Sequence, residues 1–299
     1  MGLAKLSLYL STIGGLSLLF AFLLSVVHTT SVALVRRPTR LAAAGPSGGT
    51  VDLATEPSAG TTTAGAIAHA FTWIAFATLG LSLLTRGIVV GRGPWGNMYE
   101  FSIAFAFGIT AGWLLLRRRH PIATAAVMPL GVALFLVGYA ATLPSSIEPL
   151  VPALDNAPLL TIHVAMAMIA YGVFATSFGA AVAYLAQGRE DRFAWLPSHT
   201  VLDEVAWRAV IIGFPIFATM IVLGSFWASI AWGRYWGWDP KETAALVTWL
   251  IYAVYLHARN QRGWAGRPSA LILVIGFGAV LFTYFGNLFF SGLHAYSGL

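Results

Sequence analysis

The chain has 299 residues, 58% of them hydrophobic and 9% charged, against roughly 25% charged in soluble domains, which excludes a soluble globular protein. Its net charge of +6 would suggest nucleic acid in a soluble chain, but here the arginines gather in short links between apolar runs, where they set membrane orientation. Cysteine is absent, so any thiol chemistry must use a partner's sulfur.

Eight apolar segments, near 7–34, 66–90, 98–116, 121–143, 159–186, 207–230, 243–258 and 269–291, are read as spans of about 30 Å of hydrocarbon, which takes roughly 20 helical residues. The expected fold is therefore all-α: a polytopic helical bundle of about eight transmembrane helices forming one domain over 1–299. Lys5 ahead of the first apolar run resembles a signal peptide, but the run's length and the arginines after it argue for a retained span. The stretch 42–65 is rich in Gly, Ser, Thr, Ala and Pro without periodicity, and reads as a flexible loop.

Twelve basic residues (Arg36, Arg37, Arg40, Arg117 to Arg119, Arg189, Arg192, Arg208, Arg259, Arg262 and Arg267) fall in links that alternate to one side, and five fall opposite. The positive-inside rule makes the richer side cytoplasmic. Both termini, the links near 91–97 and 144–158, and the segment 231–243 are then extracytoplasmic. No Gly-rich phosphate loop follows a strand, so a nucleotide enzyme is not indicated.

Two stretches carry cap signals. Asn97 and Glu100 open the third span with capping-box spacing. Asp239, Pro240 and Glu242 combine an N-cap, a proline at the first helical position and a capping box, so a helix is predicted to start there whatever else those residues do. Just before it, Trp232-Gly233-Arg234-Tyr235-Trp236-Gly237-Trp238 places three tryptophans where membrane meets water. Interfacial tryptophans commonly form a membrane belt, but this spacing also builds an aromatic shelf for a flat ligand.

The pattern WGxxWxWDxxE, continued by Thr243 to Tyr252 and His257, resembles the WWD signature of the haem-handling proteins of cytochrome c maturation, the CcsA (ResC) type most closely. The stretch Asn97-Met98-Tyr99-Glu100 is similar to that type as well. The resemblance implies the membrane subunit of a cytochrome c synthase, a haem lyase that binds or translocates haem b and presents it outside the membrane. There the haem joins the Cys-x-x-Cys-His motif of an apocytochrome c through thioether bonds. It further implies a CcsB (ResB)-type membrane partner, thiol-reducing proteins in the same pathway, and a cytoplasmic or thylakoid-type membrane.

Topology sorts the histidines. His163 and His294 fall at the extracytoplasmic face, level with the shelf, and match the family's two axial haem ligands there. His257 lies about 22 Å down the seventh span at 1.5 Å per residue and matches a membrane-embedded haem ligand whose companion comes from the partner subunit. His28 and His69, near the inner ends of their spans, are substitutes for that companion. His120 and His199 read as solvated. Trp232, Trp236, Trp238 and Asp239 are the expected haem platform, with Arg234 and Lys241 as partners for the haem propionates. No general acid or base is identifiable. Two other readings stay open: a non-catalytic haem transporter or chaperone of the CcmC kind, and a b-type respiratory haem subunit.

Overall fold

The computed structural model describes residues 2–42, 62–150, 152–261, 264–286, 289–290 and 292–294. They form helices α1 (Leu3–Ala42), α2 (Thr63–Val90), α3 (Met98–Arg117), α4 (Val127–Ala140), α5 (Ala157–Gln187), α6 (His199–Trp232), α7 (Pro240–Asn260) and α8 (Arg267–Phe285), with 3₁₀ turns at Ala123–Ala125 and Pro152–Leu154. No strand occurs among the described residues. The expected all-helical bundle of eight long elements is present. Among the described residues, seven spans are long and apolar enough to cross a membrane. The exception is α7: its 21 residues reach about 31 Å, but Lys241, Glu242, His257 and Arg259 make its composition too polar to qualify.

Element boundaries moved where local chemistry decided them. A run of polar cap signals starts α6 at His199, eight residues before the predicted 207, with the Val201 amide donating to Ser198 Oγ at 3.5 Å. Pro215 is accommodated inside this helix. The fourth element is shorter than predicted, because the chain first takes the 3₁₀ turn and only then enters α4. Of the expected loop 42–65, residues 43–61 lie outside the described residues. Its edges are helical: α1 reaches Ala42, and α2 starts behind Thr62, whose Oγ1 accepts the Gly65 amide at 3.1 Å.

α5 is the central post, packed against α3, α6 and α8. It approaches α3 backbone to backbone. A Cβ on Gly108 would come within 2.6 Å of the Met168 carbonyl oxygen, and one on Gly172 would strike the Gly108 carbonyl. Small residues at a crossing allow such contact, which drives helix association in a bilayer. On its other side, Phe174 of α5 stacks on Tyr252 of α7 with ring centroids 3.8 Å apart.

Because the helices alternate in direction, their ends sort into two groups. One end collects Arg117 to Arg119, Arg189, Arg192, Arg259 and Arg267; we call it the arginine end. The other, the tryptophan end, gathers the links 91–97, 141–150, 152–156 and 233–239, the described residues after α8, and the start of α1. Both described ends of the chain therefore lie at the tryptophan end.

Candidate functional site

α6 terminates at Gly233, a C-cap in the left-handed region with φ 70°. The chain then runs irregularly to Asp239, which caps α7. The full capping box is present, as the sequence predicts: Glu242 Oε2 accepts the amides of Gly237 at 2.9 Å and Asp239 at 3.1 Å, while Asp239 Oδ1 accepts the Lys241 amide at 2.9 Å. The irregular link is thus pinned at its C-terminal side by two carboxylates.

Asp239 does more than cap. It is buried, its Oδ1 also accepts His294 Nδ1–H at 2.8 Å, and its Oδ2 accepts the Leu293 amide at 2.6 Å. The residues after α8 are thereby fastened to the tryptophan segment. Gly292 permits this approach, since a Cβ there would collide with Asp239 Oδ2. Burial pushes the Asp239 carboxyl up, but the hydrogen bonds from the Lys241 amide, from His294 and from the Leu293 amide hold it below its ordinary value on balance. Burial, joined by the Lys241 charge, lowers His294 below the ordinary histidine value against the pull of Asp239. His294 is therefore a neutral imidazole near pH 7, protonated on Nδ1, with its lone pair on Nε2.

His163 reaches the same place from the first turns of α5. Its Nδ1–H donates to the Met220 carbonyl of α6 at 2.9 Å, which again puts the lone pair on Nε2. Gly224 makes room for the ring: a Cβ there would sit 2.6 Å from His163 Cε1. Trp227 stands edge-on to His163 at 5.7 Å, and Trp232 edge-on to His294 at 4.9 Å.

Both histidines line one cavity, partly open to solvent and walled mainly by apolar and aromatic side chains, the usual make-up of a small-molecule site. Trp232, Trp236, Lys241 and Glu242 line it with them. Lys241 holds its ammonium 5.7 Å from the Phe101 ring, a cation–π contact. The remaining expected residues lie elsewhere. Trp238 is 70% exposed, adopts φ 56°, and stands T-shaped to Trp236 with ring centroids 5.9 Å apart; this backbone turn swings it outward. Arg234 is exposed and folds over Gly237 rather than into the cavity.

The sequence reading missed several walls of this site. Trp95 and Trp227 line it, held by indole N–H bonds to the carbonyls of Leu160 at 3.0 Å and Ala153 at 3.1 Å. Their signal was present as tryptophans near predicted span ends, but nothing local says which way such a ring turns. Glu100 was read as the second half of a capping box. Asn97 does cap α3, accepting the Glu100 amide at 2.9 Å. Glu100 itself is buried and binds Arg86 Nε at 2.6 Å, Arg92 at 3.5 Å and the Gly96 amide at 2.7 Å. This buried cluster holds the 93–98 link over the cavity, because an ion pair in a low-dielectric setting outcompetes a single reach-back bond.

The other histidines are not brought to this cavity. His257 is exposed on the last turns of α7, at the arginine end. His28 is buried, with Nδ1 2.7 Å from Thr62 Oγ1, and His69 Nε2 accepts the Trp73 indole N–H at 3.3 Å. His199 is half-buried and bonded to Asp191 at 3.2 Å rather than simply solvated.

Chemically, two imidazole nitrogens facing one cavity are too few for a bare ion such as zinc, which takes three or four protein ligands. Among the described residues no group of three or more His, Cys, Asp or Glu could hold a metal. Two are what a metal needs when a macrocycle already fills its equatorial positions. A model of the cytochrome c assembly protein family matches residues 95–294, a stretch that contains the cavity's histidines, its tryptophans and Asp239. The chain belongs to the cytochrome c assembly family.

Other members of this family are close relatives. The cytochrome c biogenesis protein CcsA of Synechococcus elongatus is 35% identical over 266 residues, covering 71% of this chain and 81% of that one. The CcsA protein of Guillardia theta is 33% identical over 260 residues, covering 78% and 86%. A solved structure of the cytochrome c haem lyase CcmF superposes with a TM-score of 0.70 at 18% identity, covering 95% of this chain and 47% of that one. At that identity the likeness is one of fold, and this chain spans about half the length of that lyase.

Proposed function

We propose that this member of the cytochrome c assembly family binds haem b in the cavity at the tryptophan end, with His163 and His294 as axial ligands. It would present that haem as the substrate of a cytochrome c synthase. The observation that carries this reading is the pair of imidazoles, each with Nδ1–H committed to an oxygen, lining one tryptophan-walled cavity. Such outer oxygens orient metal-binding histidines generally. Trp232 and Trp236 pack along the macrocycle, and Lys241 offers its ammonium to a propionate. Trp238 and Arg234, facing outward, belong to the side from which the polypeptide arrives.

The arginine-rich loops put the arginine end in the cytoplasm and the cavity outside, in a cytoplasmic or thylakoid-type membrane. The reaction adds each substrate thiol across a haem vinyl group: sulfur bonds to the inner vinyl carbon, the proton ends on the terminal carbon, and nothing is oxidised or reduced. With no cysteine of its own, the chain contributes position, aligning vinyl groups with the sulfurs of the apocytochrome's Cys-x-x-Cys-His motif. His257, exposed at the opposite end of α7, would meet haem together with a CcsB-type membrane partner.

Purified full-length protein should show a bis-imidazole haem spectrum that weakens in His163→Ala and His294→Ala and returns with added imidazole. An unchanged spectrum in both variants would remove the ligand assignment. Co-expression with the partner and an apocytochrome separates a synthase from a haem chaperone, because only the synthase yields haem that survives acid and organic extraction.

A further inference from the structure

The two cavity imidazoles have unlike second partners. His294 donates to a buried carboxylate, Asp239, at 2.8 Å, whereas His163 donates to a neutral backbone carbonyl, that of Met220, at 2.9 Å. A carboxylate draws the Nδ1 proton more strongly than an amide oxygen does, since charge-assisted hydrogen bonds are roughly twice as strong as neutral ones. The ring bound to it gains imidazolate character and becomes the better donor to ferric iron.

The attachment of each ring to the fold runs in the same direction. His294 sits on a short segment after α8, which by itself would be the looser arm. That segment is fastened to the tryptophan segment: the Leu293 amide binds Asp239 Oδ2, His294 binds Oδ1, and Trp232 stands edge-on to the ring. His163 has one hydrogen bond, with Trp227 edge-on to its ring, and the ring fills the notch left by Gly224. Once off the metal it keeps a ready resting place, with the Met220 bond and the notch both intact.

We propose that Asp239 makes His294 the ligand that stays on iron, and that the histidine of the incoming apocytochrome replaces His163. This rests on the ligand pair put forward above and adds an order to it. Asp239 is then a positioning residue acting through His294, and the bound haem is asymmetric before any substrate arrives. The exchange is a ligand substitution: one iron–nitrogen bond breaks, one forms, and the oxidation state is unchanged.

The test uses the full-length protein loaded with ferric haem and a Ser-x-x-Ser-His peptide, which can ligate iron but cannot form thioethers. Electron paramagnetic resonance of the low-spin haem distinguishes a carboxylate-bound imidazole from a carbonyl-bound one. The expected result is exchange of one histidine with the carboxylate-bound signature retained. In Asp239→Asn that signature is missing from the start, the midpoint potential is higher, and His294 is displaced about tenfold faster, the lower bound of the roughly 10–100-fold usual for loss of an outer-shell partner. Loss of the carboxylate-bound signature from the unaltered protein on adding peptide would overturn the proposal, as would an unchanged potential in Asp239→Asn. The peptide exchange on the unaltered protein decides the matter even if the variant does not fold. If the loaded protein shows no bis-imidazole spectrum at all, the ligand pair itself has failed.

Discussion

The histidines at the two ends of this bundle have the same side chain and opposite surroundings. At the tryptophan end, His163 and His294 come from different elements, each has Nδ1–H fixed on an oxygen, and both line one cavity. At the arginine end, His257 lies exposed on α7, while His28 and His69 bond Thr62 and Trp73 of their own helix pair through one ring nitrogen each, the other being buried without a hydrogen-bond partner among the described residues. One end brings two imidazoles from different elements to a common cavity. The other leaves one imidazole exposed on a helix surface. A candidate ligand site therefore depends less on the presence of histidine than on whether the fold brings two rings to one cavity.

The comparison breaks first at the buried cluster that supports the cavity's cover. Glu100→Gln removes the charge that pairs with Arg86 and Arg92, whose side chains are 4% and 8% exposed, and stranding a buried charge costs about 3–5 kcal/mol. Thermal unfolding in detergent should show the largest drop of any variant discussed here, with haem loading lost in parallel. An unchanged melting temperature would mean that the cluster does not hold the cover.

A narrower break is Gly292→Ala, which drives a methyl group into Asp239. Forcing a methyl into a packed site costs about 1–3 kcal/mol. Here that cost falls on the segment carrying His294 rather than on the bundle. The affinity for added haem should drop while the melting temperature of the haem-free protein stays nearly constant. His257→Ala sharpens the contrast from the other end: affinity for added haem at the cavity should be unaltered, while haem loading in cells falls. Weakened binding of added haem in that variant would couple two ends that the structure keeps apart.

Acid should loosen the tryptophan end. Asp239 and His294 both have folded-state values below their ordinary ones, so each binds fewer protons folded than free. The fastening of 292–294 is then complete above the ordinary histidine value of about 6.5. It weakens as pH falls below that, and further as pH passes down through the lowered value of Asp239. Hydrogen exchange at the Leu293 amide should quicken over that descent, and a rate independent of pH, after correction for intrinsic exchange, would contradict it. The smallest effect belongs to Trp238→Ala. Its ring is exposed, so stability should stay within about 0.5 kcal/mol, with any change confined to apocytochrome attachment.

Much of this was legible in the residues themselves. Apolar runs of membrane length marked the helices, and the Asp239-Pro240-Glu242 spacing marked the start of α7 because capping is a local hydrogen-bond pattern. The placing of His163, His294 and the tryptophans at one end followed from counting helices and arginines. The facing of side chains did not. Trp238 was grouped with Trp232 and Trp236, yet the positive φ at Trp238 turns its ring out, and Trp95 and Trp227 complete the wall instead. Glu100 looked like a cap and is the centre of an ion cluster, since its arginine partners lie on another helix and in a preceding loop.

The sequence alone determined a helical membrane protein, the end at which its candidate site residues gather and the residues on hand there, because hydropathy and capping act over one or two helical turns. Only the tertiary structure decided that the carboxylate of Asp239 would be spent on His294, 55 residues away in the chain, and that a glycine at 224 would seat His163. Those contacts arise where separate helices meet, and packing geometry, which no local pattern encodes, chooses the partners.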